Sequence, residues 1–134
     1  FRWSRLITAD EIRQSIGAPA QALQSPLQLN ALQRGTSGRV LALQIAGADA
    51  AEPVVLRLDR IRRTLRRLPS TLFVIEPQGL DRWLIQGGGF GHGAGLSQAG
   101  AIDLAWRGWA PERVLRHYYP GAIYGPLPPV VQSP

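Results

Sequence analysis

The sequence predicts a compact α+β domain of short, mainly antiparallel strands with three to four helices. Several runs alternate bulky and polar residues with a period of two. Other stretches repeat apolar residues at helical spacing behind capping residues, and glycine or proline pairs punctuate the chain between them. With 134 residues, 45% of them hydrophobic, the chain is long enough for one modest core and too apolar for disorder.

Phe1 to Leu6 alternates as a half-buried strand does. Thr8, with Glu11 three residues later, forms a capping box; Ile12 and Ile16 follow on one helical face, and Gly17 and Pro19 end the helix. Leu27, Leu29, Ala31 and Gln33 alternate again up to Arg34. Gly35-Thr36-Ser37-Gly38 then turns the chain into Val40–Ile45, which predicts a hairpin. A third strand, Val54–Leu58, leads to Asp59 as the expected N-cap of a helix reaching Pro69. That helix would carry Ile61, Leu65 and Leu68 on one side and Arg60, Arg63 and Arg67 on another, with Arg62 and Arg66 widening the basic surface. Leu72–Ile75 and Trp83–Ile85 read as short strands around the turn Pro77-Gln78-Gly79.

After a glycine-rich segment, Ile102, Ala105, Trp106 and Trp109 recur at helical spacing and predict a buried helix starting near Leu96 or Ser97. Pro111 at a first helical position and Glu112 in the first turn open a last helix through Val114 and Leu115, before the Pro120-Gly121 turn. Residues 126–134 read as an extended proline-rich tail. The pattern leaves the strand order open.

Cysteine is absent, which excludes disulfides and thiolate metal sites. No apolar run is long enough for a transmembrane helix, and no signal-like opening is visible. Lacking methionine as well, the chain reads as an internal piece of a longer protein. The net charge of +6 comes from arginine alone and suits a polyanionic neighbourhood without choosing one.

Gly87 to Gly100 holds seven of the 15 glycines. Such density costs backbone entropy on folding, so an ordered segment of this kind needs a strained path or a close approach to a ligand. A strand, a glycine loop and a helix N-terminus in sequence can present free amides to a polar or anionic ligand. The plainer reading is a tightly packed turn with His92 as a satisfied polar residue; its place between Gly91 and Gly93, on an accessible loop, tilts it toward function. Gly89-x-Gly91-x-x-Ala94 matches a loose dinucleotide fingerprint, but too little chain follows for the βαβ unit that site requires. The phosphate-loop pattern fails for want of lysine. His92 and His117, with Asp103 as a conceivable third ligand, carry little ligand-spacing signal for zinc, and no metal or cofactor is expected. His117-Tyr118-Tyr119 beside a turn suits either a core rim or a sugar groove, where phenol faces stack and hydroxyl tips hydrogen-bond.

Gly89-Phe-Gly-His-Gly-Ala-Gly-Leu-Ser-Gln-Ala-Gly-Ala101 closely resembles the G-x-G-H-G-V-G-M-S-Q-W-G-A signature of the stage II sporulation protein D family, which includes amidase enhancers. Val114-Leu-Arg-His-Tyr-Tyr-Pro-Gly121 resembles that family's I-L-x-H-Y-Y-P-G ending, and Pro69-Ser-Thr-Leu-Phe73 its K/P-S-T-x-F strand start. The resemblance covers residues 1–125, as the C-terminal portion of such a domain. Ala94 stands for Val and Ala99 for Trp, and both departures remove bulk near the loop.

The resemblance implies a module of the bacterial cell envelope, outside the cytoplasm. One branch of the family cleaves peptidoglycan glycan strands stripped of their stem peptides, as a lytic transglycosylase. The other stimulates a cell-wall amidase without chemistry of its own. The family's catalytic glutamate lies upstream, in a pattern like G-E-M-P before an alanine-rich helix, and nothing here matches it. Glu11, Glu52, Glu76 and Glu112 therefore take no catalytic role, and the chain is expected to be inactive alone. His92, Ser97, Gln98, Tyr118, Tyr119 and, with less support, His117 are the candidate substrate-binding side chains, beside the backbone of Gly91 and Gly93. The alternative is a non-catalytic amidase-enhancer or wall-binding module. Nucleic-acid binding through Arg57, Arg60, Arg62, Arg63, Arg66 and Arg67 is set aside because no base-stacking motif accompanies them.

Overall fold

The computed structural model describes residues 1–126; the proline-rich stretch expected from 126 to 134 lies outside them, apart from Pro126. The backbone gathers into two units, Phe1–Gly93 and Ala94–Pro134. The first holds β1 (Arg2–Thr8), α1 (Ala9–Ile16), α2 (Ala18–Gln21), β2 (Gln28–Arg34), β3 (Val40–Ala46), β4 (Val54–Arg57), α3 (Asp59–Thr64), β5 (Phe73–Pro77) and β6 (Arg82–Gly88). The second holds α4 (Gln98–Trp106) and α5 (Pro111–Tyr118). The α+β class is the one adopted. Two three-stranded sheets run in the orders β1-β6-β5 and β2-β3-β4, and every pairing is antiparallel.

Local chemistry sets the helix ends. Thr8 Oγ1 accepts the Glu11 amide while the Glu11 carboxylate accepts the Thr8 amide, so the capping box forms and α1 starts at Ala9. Gly17 closes it with a positive φ. The β2–β3 hairpin forms as expected, but its ladder shifts register around Leu32, which is left exposed. Leu43 and Ile45 of β3, Leu56 of β4, Ile7 of β1, Ile85 of β6, Ile12 of α1 and Ile61 of α3 share one buried cluster. Burying each such side chain contributes roughly 1.5–3 kcal/mol.

Asp81 ties this core together at the β5–β6 turn. Its carboxylate accepts the Leu27 amide at 2.7 Å and its carbonyl accepts the Ala9 amide at 2.9 Å. A φ of +57° brings both oxygens to bear, a geometry that Asp and Asn tolerate better than most residues.

Three expectations are corrected. Asp59 is not an N-cap: Leu58, with φ +49°, precedes α3, and the Asp59 carboxylate faces Arg62 and Arg63 instead of backbone amides. Nor does α3 run to Pro69. It ends at Thr64, and Arg66 and Arg67 take positive φ, which turns the chain so that Leu65 and Leu68 are both still buried. Finally, α4 starts where expected but has no buried residue, and Ile102 and Trp106 are exposed.

The basic surface is also smaller than the sequence suggests. Arg62 and Arg63 are paired with Asp59, and Arg66 with Glu11. Among the described residues no helix is long and apolar enough to cross a membrane.

Two outcomes follow from these contacts. Asp81→Ala should lower stability to urea by about 1–3 kcal/mol through loss of the Leu27 acceptor. Asp81→Asn, which keeps an acceptor and the turn geometry, should cost clearly less; equal losses would contradict the role given to Asp81. The Arg62 hydrogen bond first, and then the one from Arg63, hold the Asp59 carboxyl below its ordinary titration range. A depressed carboxyl supports the fold above its unfolded pKa, and that support disappears as pH falls through the folded value. In an NMR acid titration Asp59 should therefore protonate at lower pH than it does in Arg62→Gln.

Candidate functional site

The glycine loop begins where β6 ends, and it is fastened there by Pro69–Leu72, the segment leading into β5. Ser70 is fully buried; its hydroxyl donates to the Gly88 carbonyl at 2.5 Å and accepts the Leu72 amide at 3.2 Å. The Leu72 carbonyl accepts the Gly88 amide, and the Pro69 carbonyl accepts that of Gly91 at 2.8 Å. On the other side the Gly89 amide donates to the Phe1 carbonyl. The neighbouring Thr71 carbonyl accepts the Val40 amide, so the same segment also reaches β3.

Beyond this anchor the φ angles at Gly89, Gly91, Gly93 and Gly95 are all positive, between +72° and +91°. Only glycine takes such a run of left-handed positions without strain. The side chains between them, Phe90 and His92, are consequently carried outward and exposed. The Phe90 ring lies 4.4 Å from that of Phe1, forming a tilted pair open to solvent.

Arg39, from the end of the β2–β3 turn, runs along the same loop. Its Nε, Cδ and Cζ occupy the space a side chain at Gly93 would need, and its Nη2 lies near Gly89. Arg39 Nη1 is shut off from solvent and has no hydrogen-bond partner among the described residues. An unsatisfied guanidinium N–H is uncommon in a folded protein and asks for an explanation.

A groove of about 780 Å³ opens beside the loop's origin. Trp3, Gly87 and Phe73 are aligned across β1, β6 and β5, and the two rings meet edge to face at 6.4 Å. A Cβ at Gly87 would collide with the Trp3 indole and lie 2.6 Å from the Leu72 carbonyl oxygen. Glycine here lets two aromatic rings close over the middle strand. Arg2 and Arg34 line the same groove.

In the second unit Ser97 caps α4, its hydroxyl accepting the Gly100 amide at 3.2 Å. The Tyr119 hydroxyl accepts the Leu96 amide at 3.1 Å, and that of Tyr118 rests against Gly100. Both phenols therefore hold the loop–helix junction. His117 meets the rings of Trp109 and Tyr118 edge-on, while the Arg113 guanidinium covers Trp109 at 3.8 Å.

Gly91, His92 and Gly93 thus belong to the first unit, and Ser97, Gln98, His117, Tyr118 and Tyr119 to the second. Gln98 is the exposed first residue of α4. Asp103 is paired with Arg107, and no group of three His, Cys, Asp or Glu side chains able to hold a metal occurs among the described residues. Sequence reading passed over Phe1, Phe90, Arg39 and the Trp109–Arg113 stack. The helical spacing of the stack was a usable signal; the Arg39 contact arises only in three dimensions.

The model of one family, described as a domain of unknown function (DUF8618), matches residues 1–95. That span ends close to Gly93, the last residue of the first unit. No curated protein matches the chain.

Ser70→Ala leaves the Gly88 carbonyl and the Leu72 amide each short of a partner in a buried setting. It should cost about 1–3 kcal/mol and speed amide exchange at Gly88, Gly89 and Gly91. Exchange unchanged at these amides would show that the loop does not depend on Ser70.

Proposed function

The chain belongs to the DUF8618 family, and from the chemistry and the resemblance of its glycine loop we propose that it is a module that binds and helps process peptidoglycan glycan strands, of the lytic-transglycosylase type. It works in the cell envelope, outside the cytoplasm, as the C-terminal portion of a stage II sporulation protein D-like domain.

One observation carries this reading. A loop whose alternate glycines are all left-handed holds Phe90 and His92 outward, within the stretch that resembles the family signature. Sugars are bound by this combination of chemistry: exposed aromatic faces for their C–H surfaces, and nearby amides, imidazole and hydroxyl groups for their hydroxyls. Within the second unit the Tyr119 hydroxyl is taken up by the Leu96 amide, which leaves its half-exposed ring as an aromatic face for a ligand.

Strand cleavage of this kind needs one carboxylic acid. It protonates the glycosidic oxygen and then, as carboxylate, takes the proton from the sugar's own C6 hydroxyl, so that an anhydro ring closes. A buried acid with a raised pKa suits that task. Glu11 is committed to the α1 cap and to Arg66, and Glu52, Glu76 and Glu112 are exposed. The acid has no counterpart among them, which favours a binding role for this chain and keeps the amidase-enhancer reading as the second choice.

Incubating the chain with peptide-free glycan strands tests the proposal. Retention on the strands without anhydro-muramic ends in the mass spectrum is the expected result. No retention would defeat the glycan reading, and anhydro products would defeat the assignment as inert alone.

A further inference from the structure

Each sheet of the first unit leaves one strand unpaired along the same opening. β5 ends the order β1-β6-β5, and β2 begins the order β2-β3-β4. Arg34, the last residue of β2, lines the groove of about 780 Å³ together with Leu72, Phe73 and Val74. A second hollow, of about 350 Å³, is lined by Gln28 and Asn30 at the start of β2 and by Ile75 and Pro77 toward the end of β5. The two strands therefore run in opposite directions along the two sides of one cleft. Its ends are pinned. The Thr71 carbonyl accepts the amide of Val40, the cross-strand partner of Arg34, and the Asp81 carboxylate accepts the Leu27 amide just before β2. Between these ties the two edges form no ladder with each other.

Of the two, β5 is the better template. The Leu72 carbonyl faces β6, where it accepts the Gly88 amide. Alternation along the strand then turns the N–H and C=O groups of Phe73 and Ile75 away from β6, into the cleft. Val74 between them is half-exposed. Sheet edges are ordinarily blunted by a charge, a proline or a bulge. β2 has such a bulge at Leu32, whereas Phe73 to Ile75 carries none of these, and Glu76 and Pro77 come only at the far end of β5. Where β5 begins, Arg2 and Arg34 are exposed and make no ion pair among the described residues. No carboxylate lines the groove they share.

We propose that this cleft docks an extended acidic segment of a partner protein, which adds to β5 as a further strand and sets a carboxylate against Arg2 and Arg34. Main-chain hydrogen bonds to Phe73 and Ile75 fix the register of the segment. The two guanidinium groups select acidic sequences through charge-assisted hydrogen bonds. The site needs neither a sugar nor the outward Phe90 and His92, so it stands apart from the glycan reading.

Selection of short linear peptides from a phage-displayed library on the 134-residue chain, followed by NMR with the enriched peptide, tests this. Acidic, β-branched sequences should enrich, and the synthetic peptide should slow amide exchange at Phe73 and Ile75. Methylating alternate backbone nitrogens of the peptide should abolish binding. In the double variant Arg2→Gln, Arg34→Gln the affinity should fall about tenfold or more, with the amide spectrum away from the cleft unchanged; if the double variant does not fold, Arg2→Gln alone decides. No enriched sequence, or enriched peptides that leave exchange at Phe73 and Ile75 unaltered, overturns the docking site. Binding that survives methylation overturns strand addition, and equal affinity for wild type and variant overturns the acidic preference. An oligomer of N-acetylglucosamine that protects the same two amides gives the cleft to a sugar strand and overturns the peptide assignment.

Discussion

The buried hydroxyl of Ser70 is the point on which the first unit's organisation depends. It joins the end of β6 to the segment leading into β5, and the next residue along reaches β3 of the other sheet. A glycine-rich loop has little side-chain burial to fix its path, so its course must be imposed from its ends. Delivering Ser70 to this place has its own cost. Arg66 and Arg67 hold left-handed backbone angles just upstream, a conformation that costs of order 1–3 kcal/mol per non-glycine residue. The burial of Leu65 and Leu68 on either side of that turn, at roughly 1.5–3 kcal/mol each, is of the size needed to offset it.

Much of the fold was legible because the relevant chemistry is local. The Thr8–Glu11 box, the Gly35–Gly38 turn and Pro111 at the start of α5 act through neighbours a few residues away, and each appears where its pattern placed it. The α3 region misled for the opposite reason. Helical spacing of Ile61, Leu65 and Leu68 is satisfied equally by a short helix and a turn, since both bury the same leucines. For α4 a helix forms, but Trp109 falls beyond its end, and the apolar residues are spread around the helix instead of gathering on one buried face. A few apolar residues at helical spacing mark a helix without establishing that it has an apolar face.

The candidate site shows the same division. Glycine density marked the loop, and the exposed positions of Phe90 and His92 follow from the alternation of left-handed glycines. Side chains that come from elsewhere were invisible in the pattern, because Arg39 is more than 50 residues from Gly93 in the chain and beside it in space. The arginines divide in an instructive way too. Arg62, Arg63 and Arg66 are drawn into pairs with Asp59 and Glu11, whereas Arg2, Arg34 and Arg39 make no ion pair among the described residues. Net charge alone did not distinguish the two groups.

The wedge that Arg39 forms against Gly93 gives the β2–β3 hairpin a hold on a loop it does not adjoin in sequence. Lengthening or shortening the turn by a residue would swing that guanidinium away and leave the loop's backbone free to settle elsewhere. The course of the glycine loop can therefore drift through insertions in a hairpin, with every residue of the glycine motif unchanged.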